Sequence, residues 1–273
     1  MTSPSVGHGV CLSAADLIAA MNLPLAALVN QRVPKKMLAD NGAPTTADQK
    51  LIQHHIEEIS WVAALKPANV GVTEYRDELR TYLELAILSV TLRQVDSKSA
   101  KVVRIAELVH RAIPYPVVLV LDDGESMHVS LAHIRWAQKE ADKTVLDGEM
   151  VQGVFGAMGL TDSGTTAENL PAFLTSLDLS KQPRANLRSL YQGWMDTLSA
   201  WQAAAISGRF EVSTTPQQAS DRRAALRRCR ELDSRIISLR SAASKERQIA
   251  RQVTTNLEIN ALLAERQQTA QEL

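Results

Sequence analysis

The chain has 273 residues, with 30 basic and 30 acidic side chains and no formal net charge. Apolar residues at 45% and charged residues at 22% exclude a mostly disordered polypeptide, and the length permits one large domain or two ordinary ones. Aromatics supply only 4% against 36 alanines, which favours helix over an all-β architecture, because alanine forms helix well and aromatic rings favour strands.

No apolar run approaches the ~20 residues of a membrane helix. The mildly apolar stretch from Cys11 to Val29 has no basic residue before Arg32 and is interrupted by Asp16, so it reads as a buried helix rather than a secretory leader. Cys11 and Cys229 have no zinc-ligand spacing and are expected to be free thiols of a cytoplasmic protein.

In chain order, Ser13 caps a short helix over 13–21 with Leu17, Ile18 and Met21 on one face. Gln31 to Met37 reads as a basic loop fixed by Pro34, and Asn41 to Pro44 as a turn. Thr45 or Thr46 opens a helix through Leu51, Ile52 and His55. Ile59–Leu65 is a strand stopped by Pro67. Tyr82–Leu92, apolar on both alternating sets, suits a central strand covered on both faces. A helix from Ser99 carries Val102, Ile105, Ala106, Val109 and Ala112 at helical spacing and ends before Pro114. Pro116–Leu121 is a buried strand, Asp123-Gly124 supplies a hairpin turn, and Met127–Trp136 returns as the next strand. Lys143–Leu146 is a last short strand. These elements predict an α+β domain over residues 1–150, with a mainly antiparallel sheet and flanking helices.

The grammar then becomes helical. Thr165 with Glu168 forms a capping box before a helix over 170–179. Asn186–Ile206 is a longer helix closed by Gly208, completing a segment over 165–212. Thr215 and Pro216 open a C-terminal helix expected to run to 273. Its seam alternates steps of four and three from Ala225 and Cys229 through Leu232, Ile236, Leu239, Val253 and Leu257 to Ala264. That spacing predicts a coiled coil, either folded back on the 186–206 helix or made with another protein. In a parallel self-dimer Arg235 would oppose Arg240, so a more acidic partner helix is expected.

The zero net charge hides an asymmetry. Arg222 to Arg251 holds 10 basic and 3 acidic residues, a balance of +7. Arg222, Arg223, Arg227 and Arg230 in this stripe, with Lys35, Lys36, His133 and Arg135 upstream, are the candidate contacts for a protein partner or for DNA.

Patterns that mimic chemistry do not close. His54, His55, Glu57 and Glu58 lack the i, i+4 histidine pair of a zinc protease and read as a solvated helix end. Asp122, Asp123 and Glu125 fit turn geometry. Glu84 has Ala86 where a nuclease motif needs lysine. His128, Ser130 and His133 have no nucleophile elbow around them. Trp61 and Trp136 read as core. No catalytic residue, metal or cofactor is expected.

Several blocks occur in a familiar order: Val33 to Lys36, Asn41 to Ala43, Ile59 to Pro67, Tyr82 to Leu85, Ala106 to Pro116 and Ser130 to His133. Over roughly residues 15–150 these resemble the bacterial domain-of-unknown-function family 4391. The resemblance implies a non-enzymatic accessory or adaptor subunit of an antiphage, restriction-like system. Its partner would be an SNF2-like helicase or a DNA methyltransferase. A nucleic-acid-binding module is the alternative, and a metal-dependent nuclease a weaker one. The resemblance transfers no active-site residues.

Overall fold

A computed structural model describes residues 12–93, 100–137, 144–156 and 167–273. Cys11, Ser99, Lys143 and Thr165, used above, lie outside the described residues. The first elements are α1 (Ala14–Ala20), β1 (Leu28–Arg32), α2 (Lys35–Gly42), α3 (Thr46–His55), β2 (Ile56–Leu65), α4 (Pro67–Val70), β3 (Tyr75–Arg76), β4 (Thr81–Tyr82) and β5 (Leu85–Leu92). Then come α5 (Ala100–Ala112), β6 (Val117–Asp122), β7 (Ser126–Leu131), β8 (Ile134–Trp136), β9 (Thr144–Leu146) and β10 (Val151–Gly156). Four helices follow: α6 (Leu170–Ser176), α7 (Leu187–Ser207), α8 (Pro216–Lys245) and α9 (Ile249–Ala270).

Six strands form one sheet in the order β1-β2-β5-β6-β7-β10. Only β5 and β6 run parallel, joined by the crossover helix α5; the other neighbours are antiparallel. The lack of alternation in β5 and β6 has its cause here, because apolar cores lie on both faces. One core joins Ala86, Leu88, Leu119 and Leu121 to Ile105 and Val109 of α5 and to Leu38 and Ile52. The other joins Ile87, Val118 and Val120 to Phe155, Phe173, Trp194 and Trp201.

The α+β class holds, with several revisions. Arg32 ends strand β1 at the sheet edge, and Pro34 caps α2, so Gln31–Met37 is not a loop. Asn41 and Gly42 continue α2. A Cβ at Gly42 would stand 2.5 Å from the Leu108 carbonyl oxygen, so glycine permits α2 to lie close against α5. Tyr82 and Leu92 belong to separate strands, with Glu84 between them. Met127–Trp136 is likewise divided, at Ala132-His133, because β8 leaves the main sheet to pair with β9. Trp136 is exposed there, with its indole N–H donated to Thr81, while Trp61 packs against the core. Glu57 and Glu58 lie on β2, so they share no helix face with His54.

The boundary expected at residue 150 falls just before β10, the sixth strand of the sheet. Leu198 and Trp201 of α7 pack with Phe155 of that strand, so the sheet and the 165–212 segment share one core. The expected rod is two helices. It breaks at Glu246–Gln248, and α9 returns along α8, burying Leu232, Ile236, Ile259 and Leu262 between them. Leu239 packs at this seam, whereas Val253 and Leu257 are exposed. The turn presents another face of α9 inward, so these two seam residues have no partner on α8.

Candidate functional site

The cleft beside His133 is built by α7, α8 and the end of the sheet. Tyr191 of α7 is fully buried, and its hydroxyl meets Val117 O at 2.7 Å, Ala132 O at 3.0 Å and Ala132 N at 2.9 Å. This ties the backbone just before His133 to β6 and to α7. The Tyr82 hydroxyl donates to His133 Nδ1, and His133 Nε2 donates to Gln192 Oε1 at 2.8 Å. Gln192 Nε2 donates to Asp196 Oδ1 at 2.9 Å, and Arg223 pairs with the same carboxylate. Burial favours the neutral ring, in which Nε2 carries the proton it donates to Gln192 and Nδ1 accepts from Tyr82. Burial lowers its pKa most, and the Arg188 charge adds to that, against the Gln192 bond. Burial raises the Asp196 pKa, opposed by Arg223.

At the mouth of the cleft, Glu149 stands 3.5 Å from Arg227 and 3.8 Å from Arg230. Arg230 also donates to Gln202 Oε1 at 2.8 Å. The cleft has a volume of about 180 Å³. The relay occupies both ring nitrogens of His133 with neighbouring side chains. What it does is fix α7 and α8 against the His133 loop.

Four of the expected contacts, His133, Arg223, Arg227 and Arg230, therefore share one cleft. Arg135 is close by, 3.8 Å from Asp147, which also binds Arg80. Arg222 turns away to Ser213 Oγ at 2.9 Å. Lys35 and Lys36 sit apart, at the start of α2. Lys35 donates to Ile56 O, and its pKa is lowered by burial and by the charges of Arg93 and Arg32.

The basic stripe of α8 is largely neutralised within the chain. Arg223 pairs with Asp196, Arg228 bonds Glu265 at 2.9 Å, and Arg235 pairs with Glu258. The exception is the tip where α8 turns into α9. Arg240, Lys245, Arg247 and Arg251 are exposed there, and their side chains have no carboxylate partner among the described residues. The acid among them, Glu246, accepts the backbone N–H groups of Arg247 and Gln248 at 2.8 and 2.9 Å and so holds the turn.

The acidic hairpin is a turn device. Asp123 accepts from Glu125 N, Ser126 N and His128 Nε2, and Asp122 from Gly124 N. Glu84 is buried against Lys66 at 3.1 Å. Among the described residues, no group of three or more His, Cys, Asp or Glu side chains is placed to hold a metal ion, and no helix is long and apolar enough to cross a membrane.

Sequence reasoning missed the Tyr82–His133–Gln192–Asp196 relay. Its one local signal is Gln192 and Asp196, four residues apart on α7 and so within hydrogen-bonding reach on one helix face.

No curated protein and no solved structure matches the chain. A family model, "Domain of unknown function (DUF4391)", matches residues 21–265. The match reaches well beyond residue 150, through the cleft and the helical hairpin, and the chain belongs to this family.

Proposed function

We propose that this chain is a cytoplasmic, non-enzymatic accessory subunit of a restriction-like antiphage system. It is held against an SNF2-like helicase or a DNA methyltransferase and contacts DNA through the α8–α9 tip. The observation that carries the reading is the segregation of charge. Arg223, Arg228 and Arg235 of α8 are matched to carboxylates of the same chain, while Arg240, Lys245, Arg247 and Arg251 lie towards one end with no carboxylate partner among the described residues. Four cations around one turn suit the phosphate backbone, which is read by charge and position rather than by sequence. The cleft residues Arg223, Arg227 and Arg230 act as internal ties in this reading, and the relay around His133 serves to orient the hairpin.

The test is DNA binding by fluorescence anisotropy across salt, together with co-purification of the helicase or methyltransferase. Four phosphate contacts give a slope of about −3.6 in log affinity against log salt, or roughly a hundredfold loss between ~50 and ~200 mM. Changing the four tip cations to glutamine should abolish binding, while Arg227→Gln should leave the slope almost unchanged. Salt-independent binding, or binding that survives the fourfold change, would refute the tip contact. Failure to co-purify with either enzyme would refute the accessory role.

A further inference from the structure

Two guanidinium groups share one carboxylate at the mouth of the cleft. Arg227 and Arg230 stand three residues apart on α8, so they project from one face. Arg227 Nε lies 3.5 Å from Glu149 Oε1, and Arg230 Nη1 lies 3.8 Å from Glu149 Oε2. A charge-assisted hydrogen bond closes to about 2.7–2.9 Å, so neither contact is one. All three side chains are at least half-exposed, and ion pairs of that kind hold weakly. Arg230 gives one donor to Gln202 Oε1, and Arg227 has no hydrogen bond among the described residues. The neighbouring carboxylates are taken: Asp147 by Arg80, Asp196 by Arg223 and Glu231 by Arg228. Two cations against one anion leave a positive charge unbalanced at a concave surface.

We propose that the mouth of the cleft binds a phosphate monoester dianion between Arg227 and Arg230, and that Glu149 holds this place in the free protein. A carboxylate balances one guanidinium; a dianion balances both. Three terminal oxygens also accept from two guanidinium forks at once, which two carboxylate oxygens do less well. Glu149 is free to give way, because it follows Gly148, where a φ of 88° turns the chain between β9 and β10, and its carboxylate has no other partner among the described residues. Size narrows the ligand. At about 180 Å³ the cleft is smaller than the ~300–1,000 Å³ of a pocket that engulfs a whole organic ligand, so it takes the phosphate group. Outside it, Arg227 and Arg230 also border an open groove beside Val103, Met150 and Ser234, which leaves room for the rest of the molecule. A DNA phosphate is a diester with a single charge, so it matches this site less well than it matches the spaced cations of the tip.

This goes beyond the proposed function and is measured without DNA. Isothermal titration calorimetry of the full chain at low salt and about pH 8, above a monoester's second pKa of ~6, would compare inorganic phosphate, ribose 5-phosphate and dimethyl phosphate. The first two should bind at one site per chain, and dimethyl phosphate roughly tenfold more weakly. Tighter binding of ribose 5-phosphate would assign the site to an organic monoester, and equal binding to the free anion. Glu149→Gln removes the competing charge and should strengthen phosphate binding about threefold to tenfold. Arg227→Gln with Arg230→Gln should abolish it with unchanged circular dichroism, since both side chains are half-exposed. The chain with glutamine at the four tip cations should bind phosphate as the unaltered chain does. No binding even by the Glu149→Gln chain, binding that survives loss of both arginines, equal affinity for dimethyl phosphate, or loss of binding in the tip variant would overturn the cleft site. Loss or survival of DNA binding bears on the tip alone.

Discussion

Tyr191→Phe isolates the joint on which the cleft depends. The substitution keeps the ring, which is fully buried against Tyr82 and His133, and removes one oxygen. That oxygen accepts Ala132 N–H at 2.9 Å, and its single proton goes to the closer carbonyl, Val117 O at 2.7 Å. Ala132 is 1% exposed and Val117 0%, so water cannot readily replace the lost partners. A buried group stripped of its partner costs ~1–3 kcal/mol, and two such groups place the loss at about 2–6 kcal/mol. Urea unfolding followed by circular dichroism reads this as a lower midpoint at unchanged slope, because the surface exposed on unfolding barely changes. Tyr82→Phe is the comparison. It removes a bond to His133, which borders the cleft, and should cost about 1 kcal/mol. Equal losses in the two variants, or a loss below ~0.5 kcal/mol for Tyr191→Phe, would show that the hydroxyl does not secure the His133 loop.

His110 of α5 is 1% exposed, bonds Ser130 through Nε2 at 2.9 Å and has no partner at Nδ1 among the described residues. Burial pulls its pKa from 6.5 down to about 4, so the folded state resists protonation. The stability it supports is complete above pH ~6.5 and is lost as pH falls towards 4, by on the order of 3 kcal/mol. His110→Leu should flatten that part of the stability curve measured by urea titration; an unchanged curve would remove His110 as its source. Gly153→Ala on β10 would put a Cβ 2.5 Å from Leu198 Cδ1 and 3.3 Å from the Phe155 ring. Prying α7 from the sheet in this way should cost ~1–3 kcal/mol and lower the thermal midpoint, and an unaltered midpoint would mean that the helix can shift freely.

Elements whose determinants are local were legible in the sequence. Asn186 caps α7, and Gly208 ends it with a left-handed φ of 80°. Thr215 and Pro216 start α8, and the turn after β6 has Gly124 at φ 83°. Two of the missed strands, β1 and β10, lie at the margins of the main sheet. β1 is short and largely exposed, and β10 carries Gly153 and Gly156, so neither shows the apolar alternation that marks a half-buried strand. Their existence depends on β2 and β7 beside them. The relay is equally non-local. Arg223 finds Asp196 across 27 positions, and Tyr82 finds His133 across 51.

The C-terminal seam has a physical lesson of its own. Glu246–Gln248 contains neither glycine nor proline, and a three-residue break leaves the 3-4 alternation unbroken in the sequence. Spacing alone therefore cannot separate one long helix from two that fold together. The composition of the two halves does separate them. α8 pairs its arginines with carboxylates and buries Cys229, Leu232 and Ile236, as a helix with a partner at hand does. On α9 the apolar row from Ala250 to Ala264 remains outside, while a different row, with Ile259 and Leu262 as its apolar centre, meets α8. The heptad pattern thus merges two rows of α9: one with Ile259 and Leu262 that closes the hairpin against α8, and one with Val253 and Leu257 that stays exposed among the described residues.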